Sequence, residues 1–153
     1  MIKINVFSEE KAWSKRLKNT DLFFKKICKA FPKKYQFSNK KVSFSLLLSN
    51  NKNIKKLNKY FRNKNKSTDI LSFPFNKKIK FSKNTYLGDI IISYNYLNEF
   101  KTQDLDLFKK KAIKIFIHGF LHLLGFNHKK NKDYFKMLRE ENFIYKHIKS
   151  KIS

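Results

Sequence analysis

The spacing of apolar and polar residues predicts four strands and four helices in the order β-α-β-α-β-β-α-α. The first segment, IKINVF, alternates as a half-buried strand does, whereas TDLFFKKICKAF repeats its apolar residues at helical spacing and stops at Pro32. The predicted strands span residues 2–7, 41–49, 67–75 and 86–97. The predicted helices span residues 20–31, 53–62, 105–124 and 132–148.

This order of elements indicates a single α+β domain over residues 1–153, in which helices pack on one mixed four-stranded sheet. Pro74 suits the end of an edge strand, and a loop rich in Lys and Asn over 76–85 leads to the last strand. No internal repeat or linker is evident. The basic segment 146–153 is expected to fray.

The length and the cysteine content limit the class of protein. A chain of 153 residues buries roughly two thirds of its unfolded surface, so folding needs no metal, and a bound metal would be functional. The single cysteine, Cys28, excludes an intramolecular disulfide and a Cys-rich zinc finger, and its thiol suits a reducing compartment. No apolar run is long enough to cross a bilayer, and the N-terminus lacks a signal-peptide core. We expect a cytoplasmic protein with no membrane partner.

The charge balance is strongly basic, with 36 Lys and Arg against 11 Asp and Glu and a formal net charge of +25. Such a surface attracts phosphate polyanions through counterion release, or an anionic membrane. Lys, Asn, Ile and Phe are enriched together throughout the chain, which is also the result that a coding bias would produce. Charge alone therefore leaves nucleic-acid binding open.

Three of the four histidines lie in HGFLHLLGFNH, residues 118–128. His118 and His122 are one helical turn apart on the same face, so both imidazoles can bind one ion. Gly125 favours a left-handed end to the helix, and the chain reversal makes His128 a plausible third ligand. Three neutral imidazoles with a fourth position left to water are typical of a catalytic zinc site. The alternative is an incidental cluster of core or capping histidines.

The histidine spacing matches that of metzincin proteases, which carry a glutamate directly after the first histidine. Here that position is Gly119, which has no side chain to deprotonate a zinc-bound water or to protonate a leaving amine. Peptide hydrolysis is therefore the weaker interpretation. Phosphodiester cleavage makes a different demand, because zinc can stabilise charge on the phosphoryl oxygens and make hydroxide available without a dedicated carboxylate. Attack by zinc-activated water and attack by the 2′-OH of RNA both remain open.

Several motifs together resemble the bacterial YbeY endoribonuclease family. Residues 118–128 are similar to its signature H-G-x-L-H-L-x-G-[YF]-D-H, except at Asn127. Upstream, NKYFRNKNKSTDILSFPF resembles the family's segment N-x-x-[YF]-R…T-D-V-L-S-F-P, and LGDIIIS resembles its L-G-D-I block. Met137 and Glu141 match its M-x-x-x-E pattern. These blocks cover residues 58–141 in the family's order, whereas the N-terminal third matches only in its pattern of elements.

The resemblance implies a zincin-like fold and a zinc-dependent endoribonuclease specific for single strands. It implies action on the 3′ end of 16S small-subunit rRNA and a part in ribosome quality control. One Zn²⁺ ion would be held by His118, His122 and His128, with Arg62 and His118 as catalytic residues. The implied partners are single-stranded rRNA and the small ribosomal subunit or its proteins, and no dinucleotide cofactor is expected. Three histidines would also bind nickel, cobalt or copper, so the choice of zinc follows partly from the resemblance.

Arg62 is a distinctive residue because the chain has three arginines and takes nearly all its positive charge from lysine. Its planar guanidinium can bind two phosphate oxygens at once and stabilise the charge of a transition state. The alternative is a solvated cation that interacts favourably with a helix C-terminus.

Three further polar residues are candidates for supporting roles. Asn127 stands where the family has aspartate, and it can orient a neighbouring ligand but cannot act as a base; we favour the orienting role. For Asp69 and Asp89 we favour a structural role, in which the side chain caps or turns the chain. The alternative is that either one orients a histidine or a substrate-contacting group.

Aromatic and sulfur side chains are mostly expected in the core. Phe73 and Phe75, on the predicted edge strand, are candidates for stacking on unpaired bases, although most of the phenylalanines should fill the core. Met137 corresponds either to the methionine below a metzincin zinc or to ordinary core packing. His147 receives no role.

Two other functional classes remain as alternatives to the nuclease. One is a different zinc hydrolase, such as a protease, against which Gly119 and the charge of +25 argue. The other is a non-catalytic RNA- or ribosome-binding protein in which zinc only links the last two helices.

Overall fold

A computed structural model describes residues 1–99 and 104–152. The strands are β1 (Ile2–Ser8), β2 (Lys41–Ser49), β3 (Ile70–Pro74) and β4 (Asn84–Ser93). The α-helices are α1 (Ala12–Leu17), α2 (Thr20–Lys29), α3 (Asn51–Arg62), α4 (Tyr94–Leu97), α5 (Leu105–Leu123) and α6 (Asn131–Ile152), with a 3₁₀ turn at Lys33–Tyr35.

The four strands form one mixed sheet in the order β1-β2-β4-β3. Strands β1, β2 and β4 are parallel neighbours, and β3 pairs antiparallel with β4 at one edge. The predicted α+β class with one mixed four-stranded sheet is confirmed. The edge position of β3 and its end at Pro74 also agree with the prediction, since proline is tolerated where no neighbour needs its missing N–H.

The two faces of the sheet are covered differently. One face carries the main core, where Phe44 of β2 contacts Phe116 and Phe120 of α5 at ring-centroid distances of 5.9 and 5.5 Å. On the opposite face, α3 packs its Ile54 over Leu71 and Ile91 in a smaller apolar cluster. Helix α5 is therefore fixed against the sheet, which gives the histidines on it a rigid support.

The structure corrects the last predicted strand, which ends at Ser93 instead of residue 97. Residues Tyr94–Leu97 form the short helix α4, because Tyr94 packs its ring 5.5 Å from that of Trp13 and 5.7 Å from that of Phe108. Trp13 belongs to α1, a helix that the sequence analysis did not predict because six residues are too short to establish a period.

The expectation of a frayed tail from residue 146 is also wrong over the described residues. Helix α6 continues to Ile152, and Ile144 and Ile148, one turn apart, are both fully buried. This apolar pair holds the last turns of the helix against the core. No helix within the described residues is both long and apolar enough to cross a membrane.

Candidate metal centre

The histidine segment is placed by the way helix α5 begins and ends. The Asp104 side chain accepts a hydrogen bond from the Leu107 N–H at 2.7 Å and caps the first turn. At the other end of the helix, Gly125 adopts a φ of +97°. Its N–H donates to the His122 carbonyl, and the N–H of the next residue, Phe126, donates to the Leu121 carbonyl. This is a Schellman C-cap, in which the residue after the helix adopts a left-handed conformation that glycine tolerates without steric cost. The reversal directs the following chain back toward the histidines.

His118, His122 and His128 come together as the sequence predicted. The Nε2 atoms of His118 and His122 are 3.0 Å apart, and one ligand nitrogen from each of the three rings lies within 4.8 Å of the others. A tetrahedral zinc ion with bonds of 2.0–2.1 Å holds its ligand nitrogens about 3.3 Å apart. The triad therefore has the size of a site for one ion.

Hydrogen bonds on the far side of two rings orient their free nitrogens. The Nδ1 atom of His118 lies 3.0 Å from a carboxylate oxygen of Glu141, and that of His122 lies 2.9 Å from the Phe126 carbonyl. Because both partners are acceptors, each Nδ1 carries the proton and each Nε2 offers its lone pair. Such partners fix the ring orientation and raise the basicity of a metal-ligating histidine.

The protonation of His122 also suits a ligand. Burial, followed by the neighbouring His118, lowers the pKa of His122 below its ordinary value. The neutral form of the ring therefore persists to lower pH, and the neutral form is the one that binds metal.

Gly119 is explained by packing. It is buried where α5 crosses the sheet, and a Cβ atom there would lie 2.6 Å from Ile70 Cδ1 and 3.1 Å from Ser72 Oγ. The Ser72 hydroxyl donates to the Gly119 carbonyl at 3.2 Å, which keeps the helix and strand β3 in contact. A side chain at this position would point into the sheet, so a glutamate here would not act on the metal as it does in metzincins.

Replacing Gly119 with glutamate should therefore destabilise the fold without creating a protease. We expect the free energy of unfolding to fall by about 3 kcal/mol or more, because the change both overpacks the contact and buries a charge. Urea denaturation measures the loss. The exposed Lys110 on the same helix supplies the control, since Lys110→Glu should change stability far less; equal losses would contradict this explanation.

The triad opens into a cleft of about 580 Å³ between α5, β3 and the loop after α5. Its lining includes Arg62, Asp69, Ser72, Pro74, Lys77, Asn127 and Lys129 together with the three histidines. Arg62 reaches the cleft from the last turn of α3, where Asn63 ends the helix with a φ of +56°. The Asn58 side chain donates to the Lys66 carbonyl at 2.9 Å and ties the following loop to the helix. The cleft thus combines a metal-sized triad with three cationic side chains.

Comparison with known proteins shows which family the chain belongs to. A sequence model described as Endoribonuclease YbeY matches residues 5–149. The chain belongs to this family. It is 60% identical to Endoribonuclease YbeY of Pelagibacter ubique over 153 residues, which cover 100% of both chains. It is 34% identical to that of Persephonella marina over 114 residues, 73% of this chain and 74% of the relative.

The fold also has a solved counterpart. The solution structure of TM1509 from Thermotoga maritima matches with a TM-score of 0.57 at 24% identity, covering 97% of this chain and 91% of that one. The family membership predicted from the sequence is confirmed by the sequence matches.

Within this YbeY-type fold, the two aspartates lie in different surroundings. Asp69 lines the cleft, but its carboxylate accepts from the Thr68 hydroxyl at 3.2 Å and the Ile70 N–H at 2.8 Å, as in a local turn. Asp89 lies on β4 outside the cleft lining, and its carboxylate accepts from the Tyr86 hydroxyl. Neither contact involves a histidine.

Asn127, the departure from the YbeY signature, takes part in the turn between α5 and α6. Its side-chain oxygen accepts a hydrogen bond from the Lys129 N–H at 3.2 Å, so the bond spans His128. An aspartate could make the same bond, because only an acceptor oxygen is required.

The structure also places the remaining candidates. Phe73 and Phe75 lie on β3 and just beyond it, and Phe73 packs with the apolar cluster below α3 rather than into the cleft. Met137 is buried in the main core. Glu141 was known from the sequence only as part of the family motif, and its contact with His118 depends on how α6 packs against α5.

The Glu141 contact yields a prediction for metal affinity. Glu141→Gln should weaken metal binding by about 10- to 100-fold, the usual effect of losing such an orienting carboxylate. Competition with a chromophoric chelator measures the affinity directly. Glu99→Gln removes one charge from an exposed site and is the control; a similar loss there would assign the effect to net charge instead of orientation.

Proposed function

We propose that this chain is a zinc-dependent endoribonuclease that cuts single-stranded RNA in the cleft. The observation that carries the proposal is the convergence of three histidine nitrogens beside Arg62 in a basic cleft. The name shared by the family and by its relatives supports the reaction class.

The donor set fits zinc. Imidazole nitrogens suit this borderline-soft ion, and His118, His122 and His128 supply three of the four positions of a catalytic site. When bound, zinc would supply charge stabilisation at the phosphate and a lowered pKa for a coordinated water. The role of His118 in this proposal is to hold the ion with its proton kept on Nδ1 by Glu141.

The cations of the cleft would bind and position the phosphate backbone. The fork of Arg62 can donate to two phosphate oxygens in parallel, and it would stabilise the charge that develops as the phosphodiester bond breaks. Lys77 and Lys129 lie along the same cleft and would neutralise neighbouring phosphates. No carboxylate base is needed at position 119 for this chemistry, since zinc, when bound, would lower the pKa of its water enough to supply hydroxide without one.

The size of the cleft supports a single-stranded substrate. A volume of about 580 Å³ lies within the range of roughly 300–1,000 Å³ typical of small-ligand pockets. A flexible strand can place an unpaired nucleotide in such a space, whereas a duplex keeps its bases stacked inside.

The biological setting follows from the family resemblance. We propose action on the 3′ end of 16S rRNA and in ribosome quality control, in the cytoplasm, with the small ribosomal subunit or its proteins as partners. The net charge of +25 is compatible with these RNA-rich partners.

The deciding experiment is cleavage of a labelled single-stranded RNA from the 3′ end region of precursor small-subunit rRNA. The zinc-loaded protein should cut it, a chelator should stop the reaction, and added zinc should restore it. A duplex of the same sequence should be cut far more slowly. RNA that is bound but left intact by the zinc-loaded protein would instead support a binding module with a structural metal.

Replacing Asn127 with aspartate tests whether the departure from the family signature affects the chemistry. We expect the cleavage rate to change by less than about threefold, because both side chains can accept from the Lys129 N–H. A catalytic base typically contributes roughly 10²- to 10⁴-fold. A rate increase of that size in single-turnover assays would show that the family aspartate acts as a base and would contradict the orienting role.

A further inference from the structure

The face of the sheet opposite α2 and α5 is covered only in part, by α3, and is called here the open face. It carries aromatic rings that folding leaves exposed. Phe61 is 60% exposed and Phe75 is 68% exposed. They are joined by the partly buried Phe73 and Tyr86, and these four residues are called the aromatic strip. The ring centroids of Phe61 and Phe73 are 5.1 Å apart, and those of Phe75 and Tyr86 are 5.8 Å apart. Grouped exposed rings indicate a binding surface more often than isolated ones do.

The strip is held in place by the backbone of β4. A bulge beside Ser45 and a φ of +137° at Gly88 put Tyr86 and Asp89 on the same face. The Tyr86 hydroxyl donates to Asp89 and lies 2.9 Å from the Ser45 hydroxyl, which fixes the ring. A Cβ atom at Gly88 would lie 2.2 Å from the Phe73 carbonyl, so the glycine also permits the close approach of β3. The rings are thus presented in a fixed arrangement.

Basic side chains adjoin the strip. A hollow of about 490 Å³ next to Tyr86 is lined by Lys3, Lys41 and Ser43. The register of the sheet puts Lys3 opposite Ser43 and Ser43 opposite Tyr86, which is one row across three strands. Asp89 lies next to the strip, and the Tyr86 hydroxyl donates a hydrogen bond to one of its carboxylate oxygens. Cations next to exposed rings are the combination that binds single-stranded nucleic acid.

The strip is continuous with the cleft across a single edge strand. Along β3, Ser72 and Pro74 line the cleft, whereas Phe73 packs on the opposite side with the cluster below α3. At the end of α3, two successive residues also face different sites. Arg62 lines the cleft, whereas Phe61 contacts Phe73 in the strip. A strand of RNA leaving the cleft over β3 would reach the strip next.

We propose that the open face binds a second stretch of the single-stranded RNA, outside the nucleotides held in the cleft. Bases would stack on Phe61, Phe75 and Tyr86, and Lys3 and Lys41 would contact phosphates. This inference rests on the proposed function for the identity of the ligand. It adds a subsite that selects substrates with a long unpaired flank, because a short RNA occupies the cleft alone.

The test compares an RNA of about 5 nucleotides with one of about 16, since single-strand binding surfaces cover roughly 4–16 nucleotides. Both carry 2′-O-methyl groups and a fluorophore, and anisotropy gives the Kd on the metal-loaded protein. A gel run after each measurement establishes that the RNA is intact. Cleavage of the unmodified short RNA is measured separately and reports on the cleft.

Phe75→Ala and Phe61→Ala should each weaken binding of the long RNA at least about fivefold. This factor is the lower end of the effect of losing one stacked base. Both should leave the Kd and the cleavage rate of the short RNA within twofold. Phe75→Trp should retain the affinity, because the indole still stacks. Phe135 on α6 is 59% exposed, so Phe135→Ala is a matched control that should change the Kd of neither RNA.

Several outcomes would overturn the proposal. Unchanged affinity for the long RNA in both alanine variants would assign the strip to another partner, such as a protein surface. Equal losses for the short and long RNA would place these rings in the cleft. If the unmodified short RNA is not cleaved but binding of the long RNA still depends on the strip, the proposed nuclease function fails while the RNA-binding surface stands.

Discussion

Replacing His122 with alanine is expected to abolish stoichiometric metal binding and to slow RNA cleavage by a factor of about 10³ or more. His122 contributes the Nε2 that lies 3.0 Å from that of His118, and its ring is held by the Phe126 carbonyl. Without it, His118 and the exposed His128 remain, and two ligands on separate segments bind an ion much more weakly. Metal content after gel filtration and single-turnover cleavage rates measure the two effects.

The control for this variant is His147→Ala, which removes the fourth histidine of the chain from outside the triad. Its metal content and cleavage rate should equal those of the unmodified protein. Full metal occupancy in His122→Ala would contradict the assignment of the triad. Full occupancy with normal cleavage would also show that the proposed chemistry does not need His122.

Replacing Arg62 with alanine is expected to slow cleavage by roughly 10²- to 10³-fold, the usual cost of removing one donor that stabilises transition-state charge. Metal content should not change, because Arg62 lines the cleft from α3 and holds no ligand in place. Arg62→Lys should recover only part of the rate, since an ammonium group keeps the charge but not the paired donors. Single-turnover kinetics at saturating RNA separates this effect from weaker binding.

Arg139→Ala is the matched control, because Arg139 is an exposed arginine on α6 outside the cleft lining. A similar rate loss in this variant would attribute the Arg62 effect to total charge. A loss confined to RNA affinity in Arg62→Ala, with the saturated rate unchanged, would make Arg62 a binding residue and contradict its role in the transition state.

Local sequence spacing was sufficient for the features that depend on neighbouring residues. The i, i+4 spacing of His118 and His122 places them on one helix face, and Gly125 permits the reversal that returns His128. The apolar alternation of the strands also predicted the sheet, since a strand with one buried face needs a period of two. These features require no knowledge of distant contacts.

Short elements and helix ends were less predictable. The run from Tyr94 to Leu97 is apolar enough for a strand, but its packing against Trp13 makes it a helical turn. In α6, burial of Ile148 outweighs the basic composition that suggested fraying. Tertiary contacts override weak local preferences in both cases.

The sequence by itself determined the family, the mixed α+β sheet and the three histidines as a set, because each rests on a local pattern or a motif. Only the tertiary structure decided that Glu141 orients His118, that Arg62 lines the triad's cleft, and that Gly119 is required by the contact with β3. The physical reason is that these relations join α5 to elements far away in the chain. Their distances depend on how helices and strands pack, which no spacing within one segment encodes.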